Sequence, residues 1–439
     1  MRGSMSGLAA TVLACVPAFA AFAFAPTLSA QSFVGTEGTF FIHGGTVVVG
    51  NGQRIPGANV LVQDGRIAGV GTSVSAPAGS TMIDASGQFV YAGMIDSYTP
   101  IGLNEIGGIN TMNMRSELGE YNPHMRAIVA INTGSEMLGI ARSNGITSAI
   151  TAPSGGVISG QAALINMDGW TWEDMSVKSN AGYVVNYPAV SAGGRGGGRG
   201  AGGGGGGRGQ RARERVEELK GELANARDYH LAREGGQEDV DLVYESMRPL
   251  MRGEVPAIIN ADTQEEIEGA LALADEFGLR IVIHGGREAW KVREQLADAD
   301  VPVVLSSLMV VPGSGLPYDA IYAQPGILVQ AGVKIAFSTG SQSAARRLPF
   351  HAALATAYGL DPEDAWRALT VWPAEIWGVD DVIGTVEVGK MANLFVADGD
   401  PLDIRTNVTE VFIKGRHVPM DDRATRLYEK YDARPIGNR

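Results

Sequence analysis

The distribution of apolar and polar residues divides the chain into three stretches. From Thr39 to about Val90, short β-type runs alternate with turn residues, and the same style returns after Ile383. Asn51-Gly52 and Asp64-Gly65 favour tight hairpins, because Asn, Asp and Gly tolerate the positive φ of such turns. Between these ends, apolar runs alternate with helical patterns. Two small β segments therefore bracket a long α/β middle.

The middle stretch predicts parallel βα units, because its strands are interleaved with helices. Glu265 to Phe277 is the clearest helix, and it lies between two strands. Periodicity alone leaves both a closed barrel and a doubly wound sheet open. The predicted strands are Ile146 to Thr151, Ala257 to Ala261, Arg280 to Ile283, Val301 to Leu305 and Val333 to Phe337.

Composition indicates how large the folded core can be and disfavours nucleic acid as a partner. The chain has 439 residues, 45% of them apolar, which suffices for one large domain or two ordinary ones with a buried core. Its formal charge of −13 disfavours a nucleic-acid binder, which would normally present a basic face.

The N-terminus predicts a secretory signal over residues 1–30, and so a periplasmic or secreted protein. Arg2 precedes an apolar run that Pro17 and Pro26 interrupt, and the cleavage site follows Ala30. A membrane anchor needs about 20 unbroken apolar residues, so no stable membrane span is expected. A lipoprotein signal at Cys15 stays an alternative. Cleavage after Ala30 would remove the only cysteine, and with it any disulfide or thiolate site.

A glycine-rich segment, residues 193–209, predicts a flexible insertion, because glycine loses much backbone freedom on ordering. Its match to G-x-G-x-x-G from Gly198 to Gly203 has no preceding strand, so we assign no nucleotide site. The following stretch, Arg211 to Arg233, predicts a charged surface helix with one apolar face.

Two motifs carry a resemblance to a known family. The run Val90-Tyr-Ala-Gly-Met-Ile-Asp-Ser-Tyr-Thr-Pro100 resembles the first barrel strand of the amidohydrolase superfamily. The run Ile383-Gly-Thr-Val-Glu-Val-Gly-Lys-Met-Ala-Asn-Leu-Phe-Val-Ala397 is similar to its C-terminal signature, and the closest match is to the imidazolonepropionase-like branch. The resemblance implies an α/β fold: a (β/α)8 TIM-like barrel over residues 93–377. It also implies a small composite β-sandwich from residues 38–92 and 378–420.

The resemblance also implies metal ligands at strand ends, and this sequence departs from them. The His-x-His positions hold Tyr98 and Pro100, a later histidine position holds Asn260, and the late aspartate position holds Gly340. Only the position at or beside His284 keeps its residue type. A catalytic zinc site needs about three protein ligands. We therefore assign no metal ligand and expect no cofactor. Zinc or another divalent ion could bind only if carboxylates outside the family's ligand positions served as ligands.

The same strand ends supply the candidate site residues. As ligand-binding candidates we name Tyr98, Asn260, His284 and Thr339, and as catalytic candidates His284, Glu105 and Asp262. Each has a structural alternative: a hydrogen-bonded histidine at 284, a packed aromatic at 98, and a helix cap at Asp262.

The loop after the first barrel strand adds polar candidates. Glu105 could form an acid-base pair with Glu117 or with Asp262, since paired carboxylates can take different protonation states. His124 and the other loop residues could equally be solvated.

Three functions stay open at this point. The resemblance implies a hydrolase of C–N bonds in amides, cyclic amides or peptide-like compounds. The lost ligands favour a catalytically inactive ligand-binding or scaffold protein, and a regulatory subunit of an active paralogue is the third hypothesis. The expected partner is a small-molecule ligand or substrate. A homo-oligomer or a complex with a paralogue is expected from the resemblance alone.

Overall fold

The computed structural model of the protein describes residues 34–105, 113–188, 205–311 and 316–434. The predicted signal lies outside the described residues, as does most of the glycine-rich insertion. Residues 205–209 of that insertion begin a long helix, which extends the predicted surface helix at its N-terminus. Of the helices described, none has the length and apolar character needed to cross a membrane.

The secondary structure combines short strands with helices of mixed length. The strands are β1 (Phe40–Val48), β2 (Arg54–Gln63), β3 (Arg66–Gly71), β4 (Thr81–Asp84), β5 (Phe89–Ala92), β6 (Met94–Thr99), β7 (Ile146–Thr151), β8 (Ile158–Asn166), β9 (Ser176–Asn186), β10 (Ala257–Ala261), β11 (Ile281–Gly285), β12 (Val303–Leu305), β13 (Ile335–Phe337), β14 (Leu394–Ala397), β15 (Val408–Ile413) and β16 (Arg416–Val418). The helices are α1 (Glu136–Arg142), α2 (Trp172–Met175), α3 (Gly205–Glu234), α4 (Leu242–Met251), α5 (Gln264–Phe277), α6 (Arg293–Asp298), α7 (Ala320–Gln330), α8 (Leu348–Thr356), α9 (Pro362–Arg367), α10 (Val371–Ile376) and α11 (Arg423–Asp432).

The N- and C-terminal strands share one eight-stranded sheet. Its order is β16-β15-β14-β5-β1-β2-β3, and β4 pairs with β1. The joint between the two termini is the antiparallel pair of β5 and β14, where Ala92 faces Leu394. Asp64 and Gly65 turn from β2 to β3 with positive φ, as their dipeptide predicts. The sheet has its own apolar core, which includes Ile42, Val60 and Phe412.

The second sheet forms a nearly closed eight-stranded barrel. Its order is β13-β12-β11-β10-β9-β8-β7-β6. At the seam, the Gly340 N–H donates to the Tyr98 carbonyl at 3.1 Å, and the Thr339 N–H donates to Asp96 Oδ1 at 3.0 Å. The end of the last strand is thereby bonded to the first, in a mixed α/β fold.

One part of this barrel differs from the regular (β/α)8 pattern. Strand β8 runs antiparallel to both β7 and β9. Residues 152–157 alone connect β7 to β8, whereas a parallel crossover needs about a dozen or more residues. The prediction that strands and helices alternate strictly was therefore wrong in this part of the barrel. Strands β8 and β9 form a meander instead.

Side-chain alternation places a polar layer above an apolar one inside the barrel. Ile258, Val282 and Ala336 pack together in one buried cluster with residues from the other strands. Asn260, His284 and Ser338 follow them by two positions, so they lie on the same face nearer the strand ends.

A charge cluster connects the small sheet to the barrel. Asp168, whose side chain is fully buried, lies 2.8 Å from Arg142 Nη1 and 3.8 Å from Arg416 Nη1, and it also accepts the Gly35 N–H. Asp174 pairs with Arg416 and Lys414, each at 2.8 Å. Arg142 belongs to α1 and Arg416 to β16, so Asp168 balances cations from both parts of the molecule.

We expect Asp168→Asn to destabilise the protein by roughly 3–5 kcal/mol, because it leaves the buried Arg142 guanidinium without its counter-charge. The measurement is the urea midpoint of unfolding, followed by tryptophan fluorescence. Glu254→Gln is the matched control: its pair with Arg252 lies on the surface, so its removal should change little. Equal small effects of the two variants would contradict a structural role for Asp168.

Candidate functional site

Three of the predicted site residues meet at the mouth of the barrel. The rings of Tyr98 and His284 stack with centroids 3.7 Å apart and planes inclined by 16°. Asn260 Nδ2 donates to the Tyr98 hydroxyl at 3.3 Å, and Asn260 Oδ1 lies 2.6 Å from His284 Nδ1. All three side chains are partly exposed to solvent. They form a surface at the strand ends, which we call the floor.

The local structure of β6 explains how Tyr98 reaches this position. The pairing of β6 with β7 shifts register between Asp96 and Thr99, which is where a bulge changes the direction of a side chain. Ser97 still faces the barrel interior, where it lies 3.5 Å from Trp377 Nε1. Tyr98 then packs against the interior cluster and stacks on His284.

Hydrogen bonds continue from the floor into the surrounding loops. Asn260 Nδ2 donates to Asn186 Oδ1 at 2.6 Å, and Asn186 Nδ2 donates to the Ser159 hydroxyl and the Gly156 carbonyl. Gly156 and Ser159 thereby connect the loop between β7 and β8, and the start of β8, to the floor. The floor is therefore fixed by neutral side chains and backbone groups.

The floor is also uncharged at neutral pH. Desolvation in the barrel lowers the pKa of His284 to about 3 and raises the pKa of Tyr98 to about 12. Because Asn260 Oδ1 can only accept, the neutral imidazole carries its proton on Nδ1. Its Nε2 is then an acceptor, 3.3 Å from Ser338 Oγ, whose hydroxyl also donates to the Leu305 carbonyl.

Thr339 lies beside the floor and bonds to a residue that sequence analysis did not nominate. Its hydroxyl donates to Asp96 Oδ2 at 2.5 Å, and Asp96 is fully buried. Burial raises the pKa of the Asp96 carboxyl to about 7, against the lowering effect of hydrogen bonds from Thr339 and Tyr98. The available signal was an acidic residue within the predicted first barrel strand.

Comparison with known proteins agrees with this architecture. The model of the Amidohydrolase family matches residues 322–418. The structure of an amidohydrolase from Thermotoga maritima MSB8 superposes with a TM-score of 0.75 and 26% identity, over 87% of this chain and 99% of that one. The chain thus resembles the amidohydrolase superfamily in both sequence and fold.

Two more distant relatives extend the comparison. The amidohydrolase tasK of Hapsidospora irregularis is 24% identical over 396 residues, which is 81% of this chain but only 39% of the relative's length. A molinate hydrolase, at 19% identity and a TM-score of 0.54 over 88% of this chain and 96% of that chain, shares the fold.

The residues present do not fit the metal centre of other amidohydrolases. Tyr98 presents a protonated phenol and Asn260 a neutral amide, and Gly340 has no side chain. His284 Nε2 is then the one nitrogen donor left among the substituted positions. Within the described ranges, no three His, Cys, Asp or Glu side chains come together in a way that could hold a metal ion.

The remaining catalytic candidates have partners outside the floor. Asp262 pairs with Arg287 at 3.0 Å, and it does not cap the following helix: Thr263 is the N-cap and forms a capping box with Glu266. Burial raises the pKa of Asp262, while Arg287 opposes the shift.

The loop candidates do not form the suggested carboxylate pair. Glu105 accepts from Asn132 Nδ2 at 3.4 Å, whereas Asp262 has its own partner in Arg287. Glu117 and His124 are exposed. Along the chain, Asp96 precedes Tyr98 by two residues and Asp262 follows Asn260 by two.

We expect Asp96→Asn to flatten the pH dependence of stability. The folded-state pKa of about 7 lies above the ordinary value of 3.8, so the contribution is complete below about pH 4 and lost as pH rises through 7. Between pH 5 and pH 8, the wild type should lose roughly 2 kcal/mol of unfolding free energy more than the variant. Urea titrations at both pH values measure this, with exposed Asp275→Asn as control. Parallel pH profiles for wild type and Asp96→Asn would refute it.

Proposed function

We propose that this amidohydrolase-superfamily barrel binds a small neutral amide on its floor and has lost metal-dependent hydrolysis. The observation that carries the proposal is the floor itself. Positions that hold metal ligands in the family resemblance are joined here in one network of neutral hydrogen bonds through Asn260.

The polarity of the floor supports an amide as the ligand. The Tyr98 hydroxyl accepts from Asn260, and among the described residues its own proton has no acceptor. The Ser338 hydroxyl has a single proton, and both His284 Nε2 and the Leu305 carbonyl are placed to accept it. When the proton goes to Leu305, His284 Nε2 is left as an acceptor. The floor thus offers one donor and one acceptor, and an amide offers the complementary carbonyl and N–H.

Fold relatives support the same chemical class. They include a prolidase complexed with N-methylphosphonate-L-proline and a phenylurea hydrolase, at TM-scores of 0.52 and 0.53. By name, one binds a proline derivative and the other acts on a urea. A cyclic amide or a blocked peptide is therefore the class we propose for this chain.

Binding should depend on both floor groups. We expect Tyr98→Phe and His284→Ala each to weaken binding of a neutral cyclic dipeptide by roughly tenfold, the equivalent of one hydrogen bond. Isothermal titration calorimetry on the mature chain measures this, and His124→Ala, an exposed loop histidine, is the control.

An N-methylated ligand separates the two contacts. Methylation removes the N–H, so it should weaken binding to the wild type but not to His284→Ala. Unchanged affinity of His284→Ala would remove His284 from the site. The complete absence of binding at millimolar ligand would refute the amide-binding function.

A metal measurement tests the loss of metal-dependent hydrolysis independently. We expect elemental analysis of the purified mature protein, after mild dialysis, to find no stoichiometric zinc or other transition metal. The reason is the donor set, since His284 alone falls short of the roughly three ligands a catalytic zinc needs. Stoichiometric metal would contradict this and favour a C–N hydrolase with a rebuilt site.

The second candidate is a C–N hydrolase without metal, and Asp96 is the observation that favours it. A carboxyl with a pKa of about 7 can act as both acid and base at neutral pH. Asp96 is fully buried and engaged by Thr339, however, so it would have to act through the Thr339 hydroxyl. Chromatographic detection of cleaved amide in the wild type, lost in Asp96→Asn, would establish this alternative.

A further inference from the structure

The C-terminal helix α11 is attached to the protein by its polar side. Asp422 caps it by accepting the Thr425 N–H at 2.9 Å. Arg426 donates to both oxygens of Glu136 on α1, at 3.1 and 2.8 Å. No residue of α11 is buried. Ion pairing and a cap, rather than apolar packing, hold this helix in place.

The opposite side of α11 carries an apolar stripe. Ala424, Leu427, Tyr428 and Tyr431 follow the spacing i, i+3, i+4, i+7, which places them on one face. Leu427 is 39% exposed, Tyr428 71% and Tyr431 62%. A surface helix normally turns such a face toward its own core. In α11 the apolar stripe faces away from the rest of the protein instead, so it is available to a partner.

A large aromatic residue lies close to the same end of α1. Trp170 is 67% exposed, and its carbonyl accepts from the Thr133 hydroxyl, three residues before Glu136. Trp and Tyr are the residues that most often dominate the energy of a protein interface. Trp170 is therefore a further exposed aromatic residue near the end of α1 to which α11 is bonded.

The charges beside the stripe select the partner. At 3.6 residues per turn, Arg423 and Lys430 lie along one border of the stripe, and Asp432 lies along the other. Two copies of α11 packed side by side in the same direction would set each basic border against an acidic one. An antiparallel pair would oppose like charges, and the acidic border disfavours an anionic membrane.

We infer that the stripe of α11 docks a second copy of this chain, in a parallel pair about a twofold axis. Lys430 of each copy then faces Asp432 of the other. A ten-residue helix is about 15 Å long, so the contact is small compared with stable interfaces of about 1,200 Å² or more. The dimer should dissociate in the micromolar range.

Sedimentation velocity of the full mature chain across a concentration series tests the surface. The wild type should pass from monomer to dimer, and the double variant Leu427→Asp, Tyr431→Asp should stay monomeric with an unchanged circular dichroism spectrum. Leu242→Asp is the control, because Leu242 is 77% exposed on a different helix, α4. A wild type that is monomeric throughout, or a stripe variant that still dimerises, overturns the inference.

A charge exchange tests the parallel arrangement. Lys430→Asp and Asp432→Lys should each raise the dissociation constant roughly tenfold, because like charges then face each other twice. Mixing the two variants should restore dimers, since one copy then carries two acidic groups and the other two basic ones. Failure of the mixture to associate, or capture of a different protein by a monomeric wild type, overturns the inference.

Discussion

Closure of the barrel between its first and last strands places the site residues. Asp96 on β6 accepts hydrogen bonds from both the N–H and the hydroxyl of Thr339. The N–H of Gly340 donates to the Tyr98 carbonyl. These bonds hold the end of β13 against β6 and fix the strand end from which Tyr98 stacks on His284. Because Asp96 is buried and its pKa is raised, proton binding and folding are coupled at the seam.

The chemistry of the floor follows from the cost of buried polarity. A polar group withdrawn from water must find a hydrogen-bond partner, and a buried charge must find a counter-charge. At a metal site, the metal and its histidine ligands would meet this requirement together. Here Tyr98, Asn260 and His284 are neutral and meet it through hydrogen bonds to Asn260. Around Asp168, by contrast, the buried charge is compensated by Arg142 and Arg416.

Strand ends made part of the site predictable from sequence. Asn260 and His284 follow apolar runs in neighbouring parallel strands, so their proximity follows from strand geometry, while their role in binding stays a prediction. The meander of β8 and β9 was missed because neither strand was among those predicted, so the short connection after β7 could not be recognised. Asp96 was missed because its partner, Thr339, lies 243 positions away along the chain.

The same limit applies to α11, whose significance depends on which of its faces the fold covers. The spacing of Leu427, Tyr428 and Tyr431 predicts only an amphipathic helix, and such a helix normally buries its apolar side. Glu136 reverses that expectation by pairing with Arg426 on the polar side. An ion pair of this kind is modest in energy when partly exposed. It can orient the helix without stabilising it strongly, so a second copy that covers the stripe would add stabilisation that the monomer lacks.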